Sequence, residues 1–168
     1  YKNAVLTSLE RFDQAREGLA EALAYVDRRV EAVEQLDLLI EKVQASEQVK
    51  AEQKQGLAAD KTLDAGPRNA RLLEFEKHLR DLRVWIVRLL DLKAVLLGQD
   101  KQYARAREVL RSALLREPDY SLLHYNLALV EAAMGERGAA LESLQKFLAL
   151  RETAGRKLEA ERDRLAAE

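Results

Sequence analysis

The chain has no cysteine, two prolines, seven glycines and two histidines in 168 residues. Without cysteine there can be no disulfide and no thiolate metal site, an absence that suits the cytosol and a bacterial envelope space equally. Aromatic residues are 5% of the total, and no alternating Val/Ile/Thr run bounded by turn residues offers a strand. One sign of charge in excess is also lacking, with 28 basic residues against 29 acidic. No global field therefore draws the chain to nucleic acid or to an anionic membrane. The most apolar window, "WIVRLLDLKAVLLG" at 85 to 98, carries Arg88, Asp91 and Lys93. It is too short and too charged to cross a bilayer and reads as a buried helix. No signal peptide is visible, although the chain opens on Tyr1 and not on Met, which leaves room for a leader or anchor ahead of it.

What is present is helix-forming. Ala, Leu, Glu and Arg dominate, 34% of residues are charged and 48% hydrophobic, the composition of long helices. The expectation is a soluble, all-α protein. From Val5 apolar residues step by four and three through Leu9, Phe12, Leu19, Leu23, Val26, Val30, Val33 and Ile40, with Arg16 and Asp37 interrupting. Such spacing makes a seam that packs against another helix. A continuous helix to about Ser46 would be roughly 65 Å long. Beyond Ala45 the seam dissolves, and Asp64-Ala65-Gly66-Pro67 marks a turn. A second seam follows at Leu72, Phe75, Leu79, Leu82, Ile86, Leu89 and Leu96, with Lys93 the exception. Two seams joined by one turn predict a long antiparallel helical hairpin over 1–84. Its first arm is the longer by roughly ten residues, and the uncovered stripe calls for a second copy in a homodimer or for the C-terminal helices, unless Asp37, Gln44 and Glu47 leave the excess solvated.

The segments "YARAREVLRSAL" (103 to 114) and "RGAALESLQKFL" (137 to 148) start 34 residues apart. This is the period of a tetratricopeptide repeat, and residues 85–152 resemble two such repeats. In the first, Tyr103, Ala106, Leu110, Ala113, Leu114 and Pro118 take the second-helix and closing-turn positions. In the second, Asn126, Leu127, Ala128, Gly135, Ala140, Leu144, Phe147 and Leu148 match the pattern. The departures are Lys93 at an apolar place, Phe147 for the usual Ala, Arg151-Glu152 where Pro is usual, and no Gly between the helices of the first repeat. "FDQAREGLAEAL" (12 to 23) is open to two readings, a stretched third repeat or a plain heptad seam. Residues 153–168 form a charged C-terminal capping helix, which Gly155 could break. The whole predicts five helices, at about 2 to 54, 69 to 98, 102 to 116, 120 to 134 and 137 to 165.

Chemistry is scarce. His124 falls where the repeat wants a bulky packing residue. His78 shares a helical face with Glu74 and Asp81, a spacing that could hold a divalent ion but that surface charge pairing also explains. There is no phosphate-cradling glycine loop and no nucleophile motif. The basic face of Arg68, Arg71, Lys77, Arg80, Arg83 and Arg88 is interleaved with acids and reads as solvated. Neither enzyme activity nor a cofactor or metal is expected. The expectation is a non-enzymatic scaffold or adaptor that binds a protein partner as a peptide or helix. By the resemblance, the first helices of the repeats line the binding surface with Arg88, Asp91, Val95 and Gln99, then Leu122, Tyr125, Asn126, Leu129 and Ala133. The family branch that grips a C-terminal carboxylate uses Lys and Asn there. Tyr125 and Leu129 stand at two of those places, so an apolar peptide or helix fits better. The alternative is a coiled-coil assembly protein. The TolA-binding envelope proteins of bacteria join an oligomerising helix to repeats in a similar way, so a bacterial envelope complex is a sub-case. Because two repeats alone are marginal, the second arm of the hairpin is expected to serve as a first helix for them.

Overall fold

In a computed structural model of the chain, the residues described are 17, 18, 20, 28–60, 62 and 64–166. They form five helices: α1 (Arg29–Ala59), α2 (Ala65–Gln99), α3 (Tyr103–Arg116), α4 (Ser121–Ala133) and α5 (Arg137–Ala166). Among the described residues there is no strand, and the fold is all-α. No described helix is long and apolar enough to cross a membrane. The chain divides into two units, one ending at Leu96 and the other beginning at Leu97.

In the first unit α1 and α2 run antiparallel, and three ion pairs fix their register. Lys93 Nζ meets Asp37 Oδ1, Arg83 Nε lies 3.6 Å from Glu47, and Lys54 Nζ lies 2.9 Å from Glu76. Each step along α1, from Asp37 to Glu47 to Lys54, is matched by an equal step back along α2. Lys93, the exception in the second seam, is thus the partner of Asp37, one of the two residues that interrupt the first. The α2 seam follows the expected series, with Ile86, Leu89 and Leu96 buried and Leu72, Phe75, Leu79 and Leu82 half-buried. The α1 seam differs from the expectation. Its buried residues are Ala32, Val33, Leu36, Leu39, Ile40 and Val43, whereas Val30 is 61% exposed.

The reason is a break at Arg28, whose backbone (φ −98°, ψ 51°) is not helical. A single helix over 2 to 54 is therefore corrected to one that starts at Arg29. Glu17, Gly18 and Ala20 are helical, Ala20 is fully buried, and Trp85 Nε1 donates to Glu17 Oε2 at 3.0 Å. The seam positions Val5, Leu9, Phe12, Leu19, Leu23 and Val26, and the question of a repeat over 12 to 23, lie outside the described residues. Of the two arms, α1 has 31 residues and α2 has 35, and most of the expected first arm before Arg28 lies outside the described residues.

The turn also lies earlier than Asp64–Pro67. Ala65, Gly66 and Pro67 are already helical, and Arg68 N donates to Asp64 O at 3.1 Å. Proline is tolerated in a first turn because the N–H it lacks has no intrahelical partner there. The chain turns instead at Asp60, where Thr62 N and Oγ1 donate to Asp60 Oδ1 at 2.8 and 2.6 Å. Arg68 Nη1 ties back to Asp60 O at 3.0 Å. The Thr62 hydroxyl, then the Thr62 amide, hold the Asp60 carboxyl below its ordinary value; desolvation opposes them, and Arg68 adds a smaller pull in the same direction. A lowered folded-state pKa means this turn contributes stability above the ordinary Asp range and loses it as pH falls through the folded value. Thr62→Val is expected to move the Asp60 titration part of the way back up, read by carboxyl NMR. An unmoved titration would assign the shift to another group.

In the second unit the same helix-ending turn occurs twice. After α2, Gln102 N donates to Leu97 O at 2.8 Å and Lys101 N to Gly98 O at 3.0 Å. After α4, Glu136 N donates to Glu131 O at 2.9 Å and Gly135 N to Ala132 O at 3.0 Å. Both are Schellman turns, which need one residue in the left-handed region. Gly135 fills that place at φ 81° and Lys101, 34 residues earlier, at φ 60°. The left-handed conformation costs an L-residue about 1–2 kcal/mol, of which glycine's extra unfolded-state entropy gives back about 0.5–1. Lys101→Gly should therefore stabilise the fold by about 0.5–1 kcal/mol, and Gly135→Ala should destabilise it by a similar amount. Nothing stands within 4 Å of a Cβ at Gly135, so that loss would be purely conformational. Urea titrations of both variants check the pair, and a weakened Lys101→Gly protein would contradict the turn.

The chain turns between α3 and α4 at Glu117–Tyr120, where His124 Nε2 lies 2.8 Å from Pro118 O. α4 packs against both α3 and α5. Ala106, Leu110 and Ala113 of α3 and Leu123 of α4 are fully buried. α5 does not stop where α3 stops one period earlier. It continues through Gly155 to Ala166, so the charged tail is the same helix and Gly155 does not break it.

Candidate protein-binding face

α4 is buried along Leu123, Leu127, Ala128, Val130 and Glu131. One turn of phase away, the same helix presents Leu122, Tyr125 and Leu129 to solvent, with Ala133 exposed beyond them. Steps of three and four make these one stripe. Leu129 is 52% exposed. Such a helix is apolar on most of its circumference, which one packed neighbour on each side does not cover. The Tyr125 ring lies 5.3 Å from that of Phe147 on α5, tilted by 47°. The geometry is that of an aromatic pair, and it joins the exposed side of α4 to α5.

Of the residues expected to bind, the structure therefore brings Leu122, Tyr125, Leu129 and Ala133 together on one face. Asn126 is half-buried and engaged in an interaction of its own. Arg88, Asp91 and Val95 belong to the other unit, on α2, where Arg88 and Val95 are exposed and Asp91 is half-buried and engaged. Gln99 is exposed at the end of α2. On the basic face of α2, Arg68 and Arg83 are bound to Asp60 and Glu47. His78 is exposed, and among the described residues no three acidic or histidine side chains converge as metal ligands do.

Behind the α4 stripe lies a polar contact that the sequence does not announce. Glu131 is buried, accepts a hydrogen bond from Ser143 Oγ at 2.8 Å and faces Arg111 Nη2 at 3.5 Å. Residues of α3, α4 and α5 thus meet at one carboxylate. Arg107 Nη1 binds both oxygens of Glu136 at 2.7 and 2.9 Å, tying α3 to the turn before α5. These contacts set how the three helices are placed, and hence where the exposed stripe points. Glu131 is the one acidic residue of α4, which has no Lys or Arg, but that alone does not say that it is buried.

No protein-family model matches the sequence, and none of the curated proteins compared with it matches either.

Proposed function

We propose that the chain is a non-enzymatic interaction scaffold that takes a peptide or helix of a partner protein on the exposed face of α4. One observation carries the reading. Leu122, Tyr125 and Leu129 stand in solvent as a continuous stripe, on a helix held between two others by buried leucines and a buried carboxylate. Contiguous apolar stripes on an ordered surface are the usual ground for protein contacts. The recurrence of one turn geometry at Lys101 and Gly135 supports a repeat architecture of the tetratricopeptide kind. The assembly reading rests on the first arm before Arg28, most of which lies outside the described residues.

A pull-down comparing the intact chain with a Tyr125→Ala, Leu129→Ala variant tests the scaffold. Both side chains are exposed, so the variant should keep its helix content. A partner retained by the parent and lost by the variant is the expected result. Partners retained equally by both would remove α4 as the binding face.

A further inference from the structure

Arg137, Leu141, Leu144, Leu148 and Arg151 follow one another along α5 at alternating steps of four and three, and all five are exposed. They make a second stripe, apolar in the middle and cationic at both ends. On α3, the positions one period earlier are Tyr103, Arg107, Leu110, Leu114 and Glu117, and none of them is exposed. Leu110 is fully buried. On α5, Leu144 is 36% and Leu148 56% exposed. α4 packs against α5 as well as α3, yet the α5 stripe stays open.

We propose that this stripe receives an amphipathic helix of a partner protein, with leucine-like residues at the same spacing and a carboxylate at each end. The charges select the occupant. Neither Arg137 nor Arg151 has an ion pair among the described residues, and they stand about 21 Å apart along the helix axis. A second copy of the stripe is a poor fit. Laid antiparallel about Leu144 it sets Arg137 against Arg151 of the copy, and laid parallel it sets each arginine against itself. Like charges so placed oppose association. The chain's own tail is a poor fit too. α4 covers α3 with Leu123, Leu127, Ala128 and Val130, whereas "GRKLEAERDRLA" (155 to 166) offers only Leu158 and Leu165 among large apolar residues. The proposal goes beyond the α4 face and does not depend on it.

The test is fluorescence anisotropy of the 168-residue chain with two labelled synthetic helices. Both carry three leucines at the four-and-three spacing. One has Glu and the other Lys at the two ends, spanning the Arg137–Arg151 separation. Identical ends let either orientation satisfy both arginines. The Glu-ended probe should bind saturably, and the Lys-ended probe at least about tenfold more weakly. Leu141→Glu, Leu148→Glu should lose the Glu-ended probe with helix content unchanged. Arg137→Glu, Arg151→Glu should exchange the preference between probes. Equal binding of the two probes, no binding, or indifference to Leu148→Glu would overturn the proposal. Sedimentation showing a dimer of the parent that Leu148→Glu dissociates would give the stripe to a second copy and overturn it as well. Loss of the probe in Leu122→Ala, Leu129→Ala with the α5 variants unaffected would do the same while leaving the α4 face standing.

Discussion

Leu110→Ala is expected to cost about 2–5 kcal/mol of unfolding free energy, and Leu144→Ala no more than about 1. The two leucines hold the same place on α3 and on α5, one period apart. Leu110 is fully buried and Leu144 is 36% exposed. Truncating Leu110 loses its transfer free energy and leaves a cavity walled by residues that cannot all move in, Ala106 and Ala113 among its neighbours along α3. Truncating Leu144 removes a side chain that water already reaches, and the vacated space is solvent. Urea unfolding of the two variants beside the parent measures the contrast. Equal losses would mean that the α5 stripe is covered in solution, and the account of an open face would fail.

The second large effect lies at the one place where both apolar seams are interrupted. Lys93 is 15% exposed and Asp37 44%, so the two partners of this ion pair are not equivalent. Asp37→Ala leaves the mostly buried Lys93 side chain without its carboxylate partner, and should cost about 1–3 kcal/mol. Lys93→Met leaves the half-exposed Asp37 to water and puts an apolar chain into the seam. Its expected effect lies within about 0.5 kcal/mol of zero, with stabilisation the natural direction. Thermal unfolding of both single variants and of the double variant decides the matter. A Lys93→Met protein as weak as Asp37→Ala would show that the pair is a net contributor and not an accommodated polar contact.

The α2 seam could be read from the sequence because its leucines keep one phase from Leu72 to Leu96. The α1 seam could be read only in part, with Val33 and Ile40 buried as expected but Val30 61% exposed, for two physical reasons. No glycine or proline marks the break at Arg28, so the sequence does not announce that a helix starts at Arg29. Ala32 has too small a side chain to register as seam by hydrophobicity, yet it is fully buried. Leu36 and Leu39 then set the face, and Val30 turns outward. The turn was misplaced by taking Pro67 as a terminator, when in a first turn it is a starter. For the binding face, the 34-residue offset and the position of Tyr125 and Leu129 were legible. The exposure of Leu141, Leu144 and Leu148 was not. Periodicity marks a residue as apolar on a helix face and is silent on whether another helix covers that face.

The hairpin of α1 and α2 has a consequence for how it comes apart. Near its base the hairpin buries leucine, isoleucine and valine, at Leu36, Leu39, Val43, Ile86 and Leu89. Toward the Asp60 turn it passes to Glu47 with Arg83 and Lys54 with Glu76, and to Lys50 Nζ standing 5.8 Å from the Phe75 ring centre. Contacts of the first kind hold regardless of ionic strength, while those of the second are screened by salt. The two arms therefore behave as a zipper with a permanent end and an ionic end, unfastening from the tip. Amide protection should fall stepwise from Leu36 toward Leu57, and raising the salt should move the boundary toward the base without loosening the base itself.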